Sequence, residues 1–330
     1  MMDNTDFLRL LQGRAADALA HWGLEGTETR LIKYRENAVF RVRLADGASA
    51  ALRLHRPGYH TRDTILSELR LVAHLVGEGT RAPAPLPTRS GALLAECGSQ
   101  RAPEYASLVG WMDGVPLGES GRLLDHAPAQ AEALFYHLGE SLARLHDSAD
   151  RFVADTNFTR PSWDRDGLLG EAPLWGRFWD CHCVSDEIRP ALNRLRETLL
   201  SRLANARTDG LDYGLIHADG VRENVMVDGD RIGLIDFDDC GYGYRLFDLA
   251  TVLLRNRIEP NYAALEAALI AGYRSCRHLP GEAETLLPLF IVLRSLTYIG
   301  WAAARPEMAH KAQKYAEDAL ELAGRLGELP

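Results

Sequence analysis

The sequence predicts an α+β fold in two parts, a small sheet-rich one followed by a larger, mostly helical one. Three observations carry that expectation. Between Thr29 and Leu54 apolar and polar residues alternate with the period of two that a half-buried strand requires. From Pro128 onward apolar residues recur three and four apart, as at Ala133, Leu134, Leu138, Leu142 and Leu145, the period of a helix face. Between these regions Gly110-Trp111-Met112-Asp113-Gly114 breaks the composition and marks a connector.

Taken in order, residues 5–22 read as an amphipathic helix with Thr5 as its cap. Thr29–Tyr34, Ala38–Leu44 and Ala50–Leu54 read as strands, the last two joined by a turn at Asp46-Gly47. Residues 62–78 carry the helical period, and beyond the Pro-rich connector Ala82–Pro87 the strands resume at Ala92–Glu96 and Tyr105–Val109. The expected division is residues 1–109, a connector at 110–114, and residues 115–330. In the second part helices are expected over Ala129–Asp147, Trp175–Ala206, Tyr262–Cys276, Glu282–Ala304 and Glu307–Leu326. Pro161, Gly167, Gly170 and Pro173 interrupt the pattern between the first two. Gly214–Ile216, Val225–Val227 and Ile232–Ile235 are short enough to be buried strands, with Asp228-Gly229-Asp230 turning between the last two.

A chain of 330 residues with a net charge of −9 argues against generic binding to nucleic acid or anionic membrane and leaves room for a cationic substrate. It holds no run of eighteen apolar residues and no basic-then-apolar leader, so a cytoplasmic location is expected. Five cysteines form no disulfide framework at this length, and Cys181-His182-Cys183 lacks the second pair that a metal knuckle needs. Lysine is scarce: Lys33, Lys311 and Lys314 are the whole set, and arginine supplies the other basic charges.

Chemistry concentrates at the ends of the short strands, where His217, Asp219, Asn224 and Asp236 stand. Asp219 precedes Asn224 by five positions, and Asp236 follows Asn224 by twelve across a hairpin, so one edge can gather an Asp, an Asn and a second Asp. Phosphoryl transfer requires such a set, because the protein mainly positions reactants and neutralises charge. Hard oxygen donors hold magnesium on the nucleotide phosphates, and a separate carboxylate orients the acceptor hydroxyl and takes its proton.

The segments HADGVRENVMV, LIDFDD and FDLA resemble the aminoglycoside phosphotransferase/choline kinase superfamily, whose pattern is His-x-Asp-x-x-x-x-Asn, then Ile-Asp-Phe-Asp, then Asp-Leu-Ala. The resemblance implies a bilobal protein-kinase-like fold, with an N-lobe to residue 109, a hinge at 110–114 and a C-lobe from 115. It implies that Asp219 is the catalytic base and that Asn224 and Asp236 are the magnesium ligands, with ATP as co-substrate. His217 then supports the catalytic loop, hydrogen-bonded to Asp248 at the start of the helix Leu249–Arg255. In the first part Arg35–Val39 corresponds to the phosphate-covering loop, with Asn37 near the phosphates. Arg53 stands where kinases place a lysine, with Glu68 as its partner on the next helix, and the backbone around Val109 and Trp111 corresponds to the adenine-binding hinge. LRLHRPGY and the stretch around Trp163 resemble the homoserine kinase type II and stress-response kinase branch.

The acceptor implied is a hydroxyl of a small polar molecule such as an amino alcohol, a hydroxy amino acid or an antibiotic. Arg222, Asp238, Trp163, Arg294, Tyr298 and Trp301 are the candidate pocket residues, the last three at i, i+4 and i+7 on one helix face. Asp238 or Asp239 is alternatively a further metal contact or a solvated charge, with Asp238 favoured for the metal. Two other readings stay open: a stress-response protein kinase acting on serine or threonine, and a nucleotide-binding pseudokinase, for which Arg53 is the motive.

Overall fold

The computed structural model describes residues 4–34, 37–99, 102–204 and 210–325. Arg35 and Glu36 of the expected phosphate loop, and the expected helix ends at Ala206 and Leu326, lie outside them. The chain forms two units: Met1–Gly114 with Phe152–Arg160 and Gly233–Asp238, and Val115–Arg151 with Pro161–Ile232 and Asp239–Pro330.

In the first unit α1 (Asn4–Leu19) precedes β1 (Thr29–Tyr34), β2 (Ala38–Arg43), β3 (Ser49–Leu54), α2 (Arg62–Gly77), β4 (Pro85–Leu86), β5 (Ala95–Ser99) and β6 (Ala102–Gly110). The strands make one antiparallel sheet in the order β1-β2-β3-β6-β4, with β5 also paired to β6. Alternation turns Phe40, Val42, Leu52, Leu54 and Leu108 into a core shared with Leu11, Ala15, Ala18 and Leu19 of α1. The α2 helix begins where the Thr61 hydroxyl accepts from the Thr64 amide, and it packs Ile65, Leu66 and Leu69 with Leu94 and Val109. The β5 strand starts three residues later than Ala92 and β6 reaches back to Ala102, because Ala102–Glu104 pair with Cys97–Ser99.

The second unit contains β7 (Val115–Pro116), α3 (Pro128–Asp150), β8 (Ser162–Trp163), α4 (Arg165–Leu169), α5 (Arg189–Arg202), β9 (Tyr213–Ile216), β10 (Val225–Asp228) and the start of β11 (Arg231–Leu234). After them come β12 (Gly241–Tyr244), α6 (Arg245–Asn256), α7 (Tyr262–Cys276), α8 (Gly281–Glu284), α9 (Leu287–Ala303) and α10 (Ala312–Arg325). Gly229, at φ 60°, makes the tight β10–β11 turn expected of Asp-Gly-Asp. The β9 strand joins a different sheet, β8-β12-β9.

The helices α3 and α7 pack at backbone distance. A Cβ on Gly139 would lie 2.1 Å from the Leu269 carbonyl oxygen, and one on Gly272 would lie 1.9 Å from that of Tyr136. The stretch Gly281–Ala303, which includes α8 and α9, is long and apolar enough by length and composition to cross a membrane, yet 78% of its apolar window is buried within the fold, as in a core helix. The expected helix Trp175–Ala206 is shorter: only Arg189–Arg202 is α-helical, with Pro190 in its first turn. Upstream, Gly176 takes φ 95° and Phe178–Asp180 forms a single 3-10 turn that buries Phe178 and Trp179. Cys181-His182-Cys183 therefore lies in a turn and not in a helix.

Candidate active site

In the second unit the site begins where β9 ends. Ala218 turns the chain with φ 66°, a left-handed conformation that costs a residue with a Cβ roughly 1–2 kcal/mol. Asp248 holds the turn in place. Its carboxylate accepts from the His217 amide at 2.9 Å and the Ala218 amide at 2.7 Å. It also accepts from His146 Nε2 at 3.0 Å, and His146 Nδ1 meets the Tyr273 hydroxyl at 2.8 Å. Burial, reinforced by the Arg245 charge, pushes the His146 pKa below its ordinary value. A neutral ring then donates from Nε2 to Asp248 and accepts from Tyr273 at Nδ1. Burial works against the Asp248 carboxylate, but the hydrogen bonds from His146 and the His217 amide outweigh it and hold its pKa below the usual range. Asp248 thus holds the loop through main-chain amides, and it lies one turn inside α6, which starts at Arg245.

This turn presents Asp219, with its amide donating to His217 Nδ1 at 3.2 Å. Each carboxylate oxygen of Asp219 has its own donor: Oδ1 accepts from Arg294 Nη2 at 2.7 Å, and Oδ2 accepts from Asn224 Nδ2 at 2.8 Å. Asn224 also donates to the Asp219 carbonyl at 3.0 Å, so its amide nitrogen is committed and Oδ1 is the atom left for a cation.

Arg294 is wholly buried in α9. Its guanidinium lies 4.7 Å from the Trp175 ring, 4.6 Å from Tyr298 and 5.5 Å from Phe247, and Nη2 also donates to the Tyr298 hydroxyl at 3.0 Å. Arg294 Nε and Nη1 have no hydrogen-bond partner among the described residues. Arg255 lies 3.8 Å from the Tyr298 ring. Trp301 meets Tyr298 edge-on and is covered by Arg305. The helix face of Arg294 and Tyr298 therefore lies beside Asp219, and Trp301 is one step removed.

Two candidate pocket residues prove to be structural. Arg222 is 1% exposed: Nε donates to Asn256 Oδ1 at 2.8 Å, Nη2 to Glu259 Oε1 at 2.5 Å, and Nη1 to the Arg122 carbonyl, which commits every side of the fork. Trp163 is a packing anchor, stacked on Phe247 with its Nε1 donating to the Asp239 carbonyl.

In the first unit Arg53 does pair with Glu68, Nη1 to Oε1 at 2.6 Å. Its Nη2 lies 3.1 Å from Asp238 Oδ1 and 3.5 Å from Asp236 Oδ1. Burial opposes the Arg53 charge, but Glu68, Asp238 and Asp236 outweigh it and raise its pKa above the ordinary arginine value. Burial and the Arg53 charge push His55 down to about 3, so this histidine is neutral, 2.9 Å from the Ser107 hydroxyl. Asp236 takes φ 66°, the second left-handed non-glycine residue among those described, and Lys33 Nζ lies 3.9 Å from its Oδ2.

Asp238 was expected in the pocket or on the metal. It instead faces Arg53 and, at 3.4 Å, His60, because its side chain is buried against β3 and the loop that precedes α2. Asn37 Oδ1 accepts from the Arg56 amide at 3.3 Å. At the expected hinge the Gly110 amide donates to Ala84 and the Trp111 amide to Ser49, so neither is open to a base, and Val109 is a buried sheet residue.

Sequence reasoning missed His146, Tyr273, Trp175, Asn256, Glu259 and His60. Each is separated in the chain from the group it serves, and none belongs to a local motif.

The profile of a family described as the phosphotransferase enzyme family matches residues 28–284. A homoserine kinase of Rhizobium etli is 30% identical over 228 residues, covering 67% of this chain and 63% of that kinase. The solved structure of a microcompartment-associated aminopropanol kinase is similar with a TM-score of 0.79 at 32% identity, covering 94% of this chain and 96% of that one. The structure of an amicoumacin kinase superposes with a TM-score of 0.77 at 18% identity over 97% of this chain and 94% of that one, a likeness of fold.

Proposed function

Since the chain belongs to the phosphotransferase enzyme family, we propose that it transfers the γ-phosphoryl group of ATP, with magnesium, to a hydroxyl of a small polar metabolite or antibiotic. An amino alcohol or a hydroxy amino acid is the foremost acceptor class. The observation that carries this reading is Asp219, a carboxylate oriented on one oxygen by Asn224 and on the other by Arg294. A group held in that way is ready to orient an acceptor hydroxyl and receive its proton. The names of two relatives, a homoserine kinase and an aminopropanol kinase, support the acceptor class.

Asn224 Oδ1 and the partly exposed Asp236 carboxylate are each a hard oxygen donor of the kind magnesium takes, and on this reading each would be a ligand to it. When bound, the metal neutralises charge on the transferring phosphoryl group. Arg53, held by Glu68, is the cation for the nucleotide phosphates, so the Arg-for-Lys exchange retains the ion pair that a working kinase needs. That pair weighs against a pseudokinase.

The test is phosphate transfer from magnesium-ATP to pooled amino alcohols, hydroxy amino acids, sugars, aminoglycosides and a generic protein, beside Asp219→Asn. Transfer to one small-molecule pool, lost in Asp219→Asn, is expected. Labelling of the protein alone, or transfer that survives Asp219→Asn, would refute the reading.

A further inference from the structure

An arginine presents two edges where a lysine presents one point. The Nη1 edge of Arg53 is taken by Glu68 at 2.6 Å. The Nη2 edge is divided between Asp238 at 3.1 Å and Asp236 at 3.5 Å. These two carboxylates are not equivalent: the Asp238 side chain is 13% exposed, while that of Asp236 is 37% exposed.

Asp238 is also held from its other sides. Its Oδ2 lies 3.4 Å from His60 Nε2, and Arg160 donates to the carbonyls of Phe237 and Asp238 while reaching the Thr64 carbonyl on α2 at 3.1 Å. Both carboxylate oxygens of Asp238 therefore face nitrogen atoms of the same unit, and its main chain is tied to the helix that carries Glu68.

We infer that Asp238 is the positioning residue that allows arginine to serve where protein kinases carry lysine. Glu68 and Asp238 grip the two edges of the guanidinium, so the hold on Arg53 does not depend on the longer contact with Asp236, whose carboxylate would then serve a metal. A lysine would need Glu68 alone. The assignment rests on reading this cluster as the nucleotide site, and it gives Asp238 a role distinct from both metal binding and acceptor binding.

The test is a double-mutant cycle with Arg53→Lys and Asp238→Asn, read by equilibrium ATP binding and by separate KM values for ATP and acceptor. Asp238→Asn is expected to weaken ATP binding about tenfold, the loss of one hydrogen bond between charged groups, and to leave the acceptor KM within about twofold. In the Arg53→Lys background the same change is expected to add less than about twofold, because the edge it served is gone. Unaltered ATP affinity in Asp238→Asn, or effects that multiply in the double variant, would overturn the assignment. Should Asp238→Asn not fold alone, the comparison of Arg53→Lys with the double variant still decides: a further tenfold loss refutes it. A wild-type chain that binds no nucleotide would remove the kinase reading itself, whereas wild-type binding with an indifferent Asp238 removes this inference alone.

Discussion

Replacing Arg294 by methionine should separate catalysis from stability. The substitution removes the 2.7 Å hydrogen bond from Nη2 to Asp219 Oδ1 and keeps an unbranched apolar side chain among Trp175, Phe247 and Tyr298. A hydrogen bond between charged groups contributes roughly 1.5–3 kcal/mol. If Asp219 needs that bond for its orientation, kcat falls by roughly 10- to 150-fold, at about 1.4 kcal/mol per factor of ten.

Stability should respond differently. Arg294 is a buried charge with two donors that no acceptor among the described residues meets, each unmade bond costing about 1–3 kcal/mol, against cation–π attraction of roughly 0.5–2 kcal/mol. Asp219, 23% exposed at its side chain and still held by Asn224, can take water in place of the lost donor. The net change in folding free energy is then within about 1 kcal/mol, a shift in Tm of less than about 4 °C for a unit of this size. Steady-state kinetics with the acceptor found by the panel, beside thermal unfolding of the same preparations, measures both. A kcat within about threefold of wild type would refute the orienting role. A Tm lower by about 10 °C or more, with activity following the folded fraction, would show that Arg294 only supports the fold.

Three further outcomes follow from the structure. Arg222→Ala leaves the buried Glu259 carboxylate without its cation and should cost about 3–5 kcal/mol in urea unfolding, with part recovered when Glu259→Gln is added; an unchanged midpoint would contradict the buried pair. Gly272→Ala drives a Cβ against the Tyr136 carbonyl and should cost roughly 1–3 kcal/mol by separating α3 from α7, so a variant as stable as wild type would mean the helices are not in backbone contact. Acid should destabilise the fold. His55 stays neutral down to about 3 when folded but takes a proton below about pH 6.5 when unfolded, so stability present above that pH declines by roughly 1.4 kcal/mol per unit as pH falls toward 3. The lowered pKa of His146 acts in the same direction. Melting curves between pH 7 and pH 4.5 should show the decline, and His55→Gln should flatten it; a flat wild-type profile would contradict the burial of a neutral ring.

What the sequence made legible was local or periodic. The alternation of Ala38–Arg43 and Ser49–Leu54 and the Gly229 turn placed those strands nearly to the residue, because period and turn chemistry act over a few positions. Asp219 and Asn224 were readable for the same reason, five positions apart in one loop. Arg222 was misread because a charge inside a polar loop looks exposed; its burial is decided by Asn256 and Glu259, more than thirty residues later. The stretch from Trp175 does not run on as the expected helix, because Gly176 and Pro190 govern where the backbone turns. His146 gave no signal, since a histidine among leucines on a helix face has the same pattern whether or not it reaches Asp248.

The arginine at position 53 also determines which chemical probes can see this protein. On the proposed reading, a nucleotide reagent that acylates the strand lysine beside the phosphates meets a guanidinium at position 53, which does not react in its place. Of the three lysines in the chain, Lys33, half exposed and 3.9 Å from Asp236, is the one beside that cluster. Labelling surveys that register nucleotide-binding proteins through a modified strand lysine would pass over this one, or record it at Lys33 on the first strand. An inhibitor built to trap the usual lysine covalently would find at position 53 only a guanidinium gripped between Glu68 and Asp238.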